Sequence, residues 1–202
     1  PVFNTRFLFQ EKCSDRKVDT MRLSLLYVGR VVPHKKIEDA IVILADLQKY
    51  FPSATLSVVG DAPNVLYMQA LHDKVQSLEL SGESVTFTGK IDDKQLYEFY
   101  CNSDLFITMS EHEGFGIPVL EAIYFGMPVI LKGGSAAEKV ASNFGLVISD
   151  INDENIVLNI EKLVKDDTKM LSYKMNGPAH VKKILSKNNK EFWLTHIEKL
   201  KV

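Results

Sequence analysis

Apolar residues recur along this chain with two alternating periods. Short apolar runs of strand length cover Leu23 to Val28, Ala54 to Val59, Ser84 to Thr88, Leu105 to Met109, Val129 to Leu131 and Leu146 to Ile148. Stretches with helical spacing lie between them. The clearest is Ile37, Ala40, Ile41, Ile43, Leu44 and Leu47, and the pattern returns over Val65 to Leu80, Asp92 to Cys101, the residues from Pro118 onward, and Ala136 to Ser142. Pro118 suits the first turn of its helix, and Gly126-Met127-Pro128 closes it. No assigned strand has an interior proline. Strands alternating with helices predict an α/β fold: a Rossmann-like, doubly wound, mostly parallel sheet covered on both faces. From Asp153 the chain is helical in character, over Ile156 to Lys165, Lys169 to Met175 and Asn188 to Leu200, with a break expected at Asn176-Gly177-Pro178. Residues 1–20 show no period and read as a linker or arm, which leaves 21–202 as one domain with its C-terminal helices.

Composition changes this picture little but narrows the partners. The 202 residues are 46% hydrophobic and 25% charged, enough for one substantial core. The formal net charge is -2 and the basic residues are dispersed, so no nucleic acid is expected as a partner. No apolar run reaches bilayer length, and no transmembrane segment is expected. Cys13 and Cys101 lie far apart without metal-ligand spacing and read as two ordinary thiols in a reducing compartment. His72, His112, His180 and His196 show no ligand spacing, so neither a metal nor a cofactor is expected.

Right-handed crossovers would gather the loops that follow parallel strands along one edge of the sheet, and the candidate chemistry falls in those loops. Gly29 permits a tight exit from the first strand. Arg30 and Lys35 follow it, a planar fork and a point charge that suit a diphosphate, although such a pair is commonly just solvated loop charge. Glu113 and Glu121 frame the loop after the fourth strand, and Glu121 is the only charged side chain between Gly114 and Leu131. A carboxylate in such an apolar run is costly to bury unless hydrogen-bonded, by ligand hydroxyls for instance; it can equally serve to complement the helix dipole. Gly114 and Gly116, on either side of Phe115, allow close backbone approach to a ligand or simply a turn. Together these residues favour a phosphorylated, hydroxyl-rich small molecule. An enzyme and a non-catalytic nucleotide-binding or assembly module both remain open.

The string SEHEGFGIPVLEA resembles the Glu, seven residues, Glu signature of retaining GT-B glycosyltransferases, in particular the large fourth family with its mannosyl- and glucosyltransferases. That resemblance implies the donor-binding half of an enzyme that takes a nucleoside-diphosphate sugar, such as GDP-mannose or a UDP-hexose, and serves a glycan or lipid-linked acceptor. It implies that Glu113 and the backbone of Gly114, Phe115 and Gly116 hold the sugar and that Glu121 binds the ribose. Arg30 and Lys35 would hold the diphosphate behind Gly29, and backbone groups at Lys90 and Ile91 would read the base. Lys36 stands where the family more usually has glycine. Glu138 arrives about one residue early for the family's later glutamate, and Lys132 is neither small nor acidic as the pattern expects. The segment PVFNTRF is similar to the family's connection from an upstream acceptor domain, so a missing N-terminal domain is expected, with the chain beginning at Pro1 as a fragment. The same likeness suggests polysaccharide biosynthesis in the cytoplasm, with the longer protein peripheral at the inner face of the membrane.

Overall fold

The computed structural model describes residues 22–112 and 116–187. The expected arm at 1–20 and the expected helix at Asn188 to Leu200 lie outside them. Among these residues six strands form one sheet: β1 (Ser24–Val28), β2 (Thr55–Val59), β3 (Val85–Gly89), β4 (Leu105–Thr108), β5 (Val129–Lys132) and β6 (Gly145–Ile148). Their order is β3-β2-β1-β4-β5-β6 and every pairing is parallel. The expected α/β, doubly wound sheet is therefore present.

Among the described residues, seven helices connect and cover it: α1 (Ile37–Gln48), α2 (Val65–Ser77), α3 (Asp93–Asn102), α4 (Ile117–Tyr124), α5 (Ala136–Ala141), α6 (Ile156–Val164) and α7 (Asp167–Lys187). Because parallel crossovers are right-handed, connections running outward on the two sides of β1 and β4 lie on opposite faces. α1 packs beside α2 and α6, and α4 beside α5 and α7. Central strands covered on both faces must be apolar throughout, and Leu25, Leu26, Leu105 and Ile107 have no solvent exposure. All six periodic apolar positions of α1 are buried. Asp92 and Gln95 form a reciprocal capping box that starts α3. At the end of α3, Cys101 is disulfide-bonded, which corrects the expectation of an ordinary thiol there; Cys13 lies outside the described residues. No helix among the described residues is long and apolar enough to cross a membrane.

The break expected at Asn176-Gly177-Pro178 is absent: α7 runs unbroken for 21 residues with Pro178 inside it. The physical reason is tertiary. A Cβ on Gly177 would lie 2.0 Å from the Ile123 carbonyl oxygen of α4, and one on Gly126 would lie 2.6 Å from the Lys174 Cα. These glycines let the two backbones approach closely, and the packing gained outweighs the helix-breaking tendency of Gly and Pro. Gly177→Ala should therefore lower the unfolding free energy by about 2 kcal/mol in urea titrations. Gly82→Ala, where an added Cβ meets nothing within 4 Å, should stay within about 0.5 kcal/mol.

Candidate functional site

The strand order reverses between β1 and β4, and the loops leaving these two strands flank the resulting crevice. They are tied to each other. The Glu111 amide donates to the His34 carbonyl at 3.0 Å, and Lys35 Nζ donates to the His112 carbonyl at 3.3 Å. On the β1 side the backbone around Arg30 is fixed: the buried Tyr27 hydroxyl donates to the Arg30 carbonyl at 3.1 Å, and the Val31 amide donates to Asp61 O at 2.8 Å. The Arg30 side chain is exposed. A short 3-10 turn, Pro33–Lys35, then leads into α1.

Lys36 occupies the hinge between that turn and α1 in the left-handed conformation, φ 50° and ψ 46°. Glycine reaches this region at no steric cost, so the backbone suits the glycine usual in the resembled family, and Lys36 adopts the same conformation at a local cost. Its side chain lies 3.6 Å from Glu111, whose carboxylate is also 3.7 Å from Lys132 at the end of β5. Exposed pairs at these distances contribute little energy singly, but here they join the loops after β1 and β4 to the end of β5. The first turn of α1 is capped from α2. The Ile37 amide donates to the Tyr67 hydroxyl at 3.1 Å, and that hydroxyl donates to the Glu38 carboxylate. Burial and the Glu38 bond push the Tyr67 phenol above its ordinary value, which keeps it a donor.

Gly116 is the N-cap of α4 at φ 71°, and Pro118 falls in the first turn. An added Cβ on Gly116 would also touch Ala137, so both the turn and its packing favour glycine. Glu113, Gly114 and Phe115 lie outside the described residues, between His112 and Gly116. Glu121 sits about 6 Å down α4 from the helix start. It is 5% exposed and accepts a 2.8 Å hydrogen bond from the Tyr100 hydroxyl of α3. Lys90 and Ile91 follow β3, two strands from β1 and so about 10 Å along the same edge.

The structure thus brings the loops of Gly29, Arg30, Lys35 and Gly116 to one crevice, buries Glu121 in α4 against Tyr100, and places Lys90 and Ile91 farther along the edge. Sequence reasoning missed Tyr100, Tyr67 and the Glu111 carboxylate that joins Lys36 to Lys132. No spacing signals these contacts, because each joins residues from separate crossovers. A cavity of about 160 Å³ opens beside Lys132, lined also by Asp39, Met109 and Asp150. A larger one, about 530 Å³, lies between α1 and α6 and holds none of the candidate residues. The candidate residues therefore lie apart from the larger cavity. No group of three His, Cys, Asp or Glu able to hold a metal occurs among the described residues.

Comparison with known proteins adds the following. The family model described as Glycosyl transferases group 1 matches residues 10–180. The alpha-monoglucosyldiacylglycerol synthase of Streptococcus pneumoniae is 33% identical over 120 residues, covering 59% of this chain and 26% of that protein. Anabaena Alr3699/HepE in complex with UDP and glucose superposes with a TM-score of 0.70 at 23% identity, over 80% of this chain and 44% of that one. The C-terminal domain of a glycosyl transferase group 1 family protein (LpcC) from Francisella tularensis gives 0.68 at 20% identity, over 85% of this chain and 94% of that one. These two structures share the fold. The chain spans 39% of the length of one curated relative, from Klebsiella pneumoniae, and 26% of the pneumococcal synthase.

Two outcomes follow from the loop geometry. Lys36→Gly should be as stable as the parent or up to about 1 kcal/mol more so in urea titrations, since relief of the left-handed backbone exceeds the loss of exposed ion pairs. Lys36→Val should be less stable than either. Burial raises the Asp39 pKa, with Glu38 adding to the rise and Lys132 and Lys36 opposing it. A raised folded-state pKa means that folding disfavours the ionised form, so this group's contribution falls as pH climbs from below 3.8 through the folded value. Asp39→Asn should accordingly raise Tm at pH 7, and the gain should vanish at a pH where Asp39 is protonated in both states.

Proposed function

This chain belongs to the glycosyl transferases group 1 family, and from that premise we propose that it is the donor-binding half of a retaining hexosyltransferase. It holds a nucleoside-diphosphate sugar for transfer to a glycan or lipid-linked acceptor. The observation that carries this reading is the crevice at the strand-order reversal, where the loop with Arg30 and Lys35 is hydrogen-bonded to the loop that leads into Glu113. The UDP and glucose bound to the HepE relative support the same ligand class.

In this reading Gly29 allows the diphosphate to approach the strand end, and Arg30 and Lys35 neutralise the charge that grows on it as it departs. Preorganised cations at a developing anion supply several kcal/mol of transition-state stabilisation. Glu113 and the backbone of Gly114, Phe115 and Gly116 fix the sugar ring. Glu121 takes the ribose hydroxyls, and backbone groups at Lys90 and Ile91 face the base. The acceptor arrives on the face from which the nucleotide leaves, so the product keeps the donor's anomeric configuration without a carboxylate nucleophile. An upstream domain supplies the acceptor pocket, and the isolated chain binds donor weakly and transfers poorly.

Thermal-shift screening with UDP, GDP, ADP and their sugars should show stabilisation by one nucleotide series, because a ligand of the native state raises its melting point. Arg30→Ala and Lys35→Ala should each weaken that nucleotide by about 10- to 100-fold in calorimetry, the range for a lost charge-assisted hydrogen bond. Unchanged affinity in both variants, and in Glu113→Ala, would instead favour a non-catalytic binding module. Ready transferase turnover by this chain alone would contradict the need for an upstream domain.

A further inference from the structure

The contact between α3 and α4 goes beyond the roles assigned above. Tyr100 is 2% exposed and Glu121 5%, and the hydroxyl donates to Glu121 Oε2 at 2.8 Å. The Pro118 carbonyl lies farther off, at 3.5 Å from the same hydroxyl. The Tyr100 ring stacks on Phe125 with centroids 5.1 Å apart and planes 3° from parallel. Phe125 ends α4 four residues after Glu121, on the same side of the helix. The ring that carries the donor is thus fixed against the helix that carries the acceptor, and the two stay in register. With Oε2 engaged by Tyr100, the carboxylate plane is set, and with it the directions in which the group can accept further bonds.

We propose that Tyr100 is a positioning residue of the donor site, whose hydroxyl holds the Glu121 carboxylate oriented to take the vicinal hydroxyls of the donor's ribose. This rests on the reading of Glu121 as the ribose ligand given above. Burial raises the Tyr100 phenol well above its ordinary value, with the Glu121 charge adding to the effect, so it stays a proton donor. A phenol that merely satisfies a buried acid would affect stability but not ribose selectivity. The two roles therefore separate in one experiment.

UDP, GDP and their 2′,3′-dideoxy forms are titrated into this chain and its Tyr100→Phe, Phe125→Leu and Glu121→Gln variants, with binding followed by NMR. The parent should prefer the ribo form by about 10-fold, the worth of a hydrogen bond to a charged group. Tyr100→Phe should reduce that preference to about 2-fold while leaving dideoxy affinity in place, and adding it to Glu121→Gln should cost nothing more, as for groups acting as a unit. Phe125→Leu, which keeps the hydroxyl but removes its stacking partner, should fall between. It carries the test if Tyr100→Phe does not fold. A ribo preference that survives these variants, or equal losses for ribo and dideoxy forms, overturns the proposal. A parent that binds nucleotides without ribose preference overturns the role of Glu121 and this inference with it. A parent that binds none of them overturns the donor-site reading itself.

Discussion

Everything at the site depends on the reversal of strand order between β1 and β4. In an all-parallel sheet each connection must return along one face, so all C-terminal strand ends share one edge. The connections that leave β1 and β4 turn away from each other, so neither departing helix covers the strand ends between them. The β1 and β4 loops face each other across the crevice, and the Glu111-to-His34 hydrogen bond closes one side. β4 and the middle of β1 are buried beneath, so this geometry is held by the core rather than by the loops themselves.

The same arrangement explains why charge accumulates at this edge. Lys35 and Lys36 come from the connection between β1 and α1 and Lys132 from the end of β5, with Glu111 and Asp39 beside them. None of the ion pairs is short, and each is partly exposed, so their individual contribution to stability is small. Their effect is one of position. They hold Lys36 and Lys132 against Glu111, while the Arg30 side chain is exposed. Lys36 does this from a left-handed backbone position, a local cost held in place by the turn before it and the Tyr67-capped helix after it.

Helix α4 links site and scaffold. Ile117, Val119, Leu120, Glu121, Ala122 and Ile123 are all buried, which makes it a helix covered nearly all round by α5, α7 and the Tyr100 side of α3. A single carboxylate in such surroundings must find donors or distort the packing. Tyr100 supplies one. The glycine contacts between α4 and α7 hold the helix from the other side, so the position of Glu121 depends on residues as remote as Gly177.

The chain's local chemistry was enough to determine the element order, the parallel sheet and the loop positions of Gly29, Arg30, Lys35 and Gly116. Each of these follows from apolar period, turn residues or the strand-then-helix alternation, which act over a few neighbours. The similarity of SEHEGFGIPVLEA to a known signature pointed to the family that the match over residues 10–180 shows. Only the tertiary structure decided that α7 runs through Gly177-Pro178, that Lys36 is left-handed, and that Glu111 joins Lys36 to Lys132. The same holds for Tyr100 and Glu121, which lie 21 residues apart on two helices that meet only because their crossovers share a face. Those outcomes turn on which backbone approaches which across the core, and residues distant in sequence leave no periodic trace of that approach.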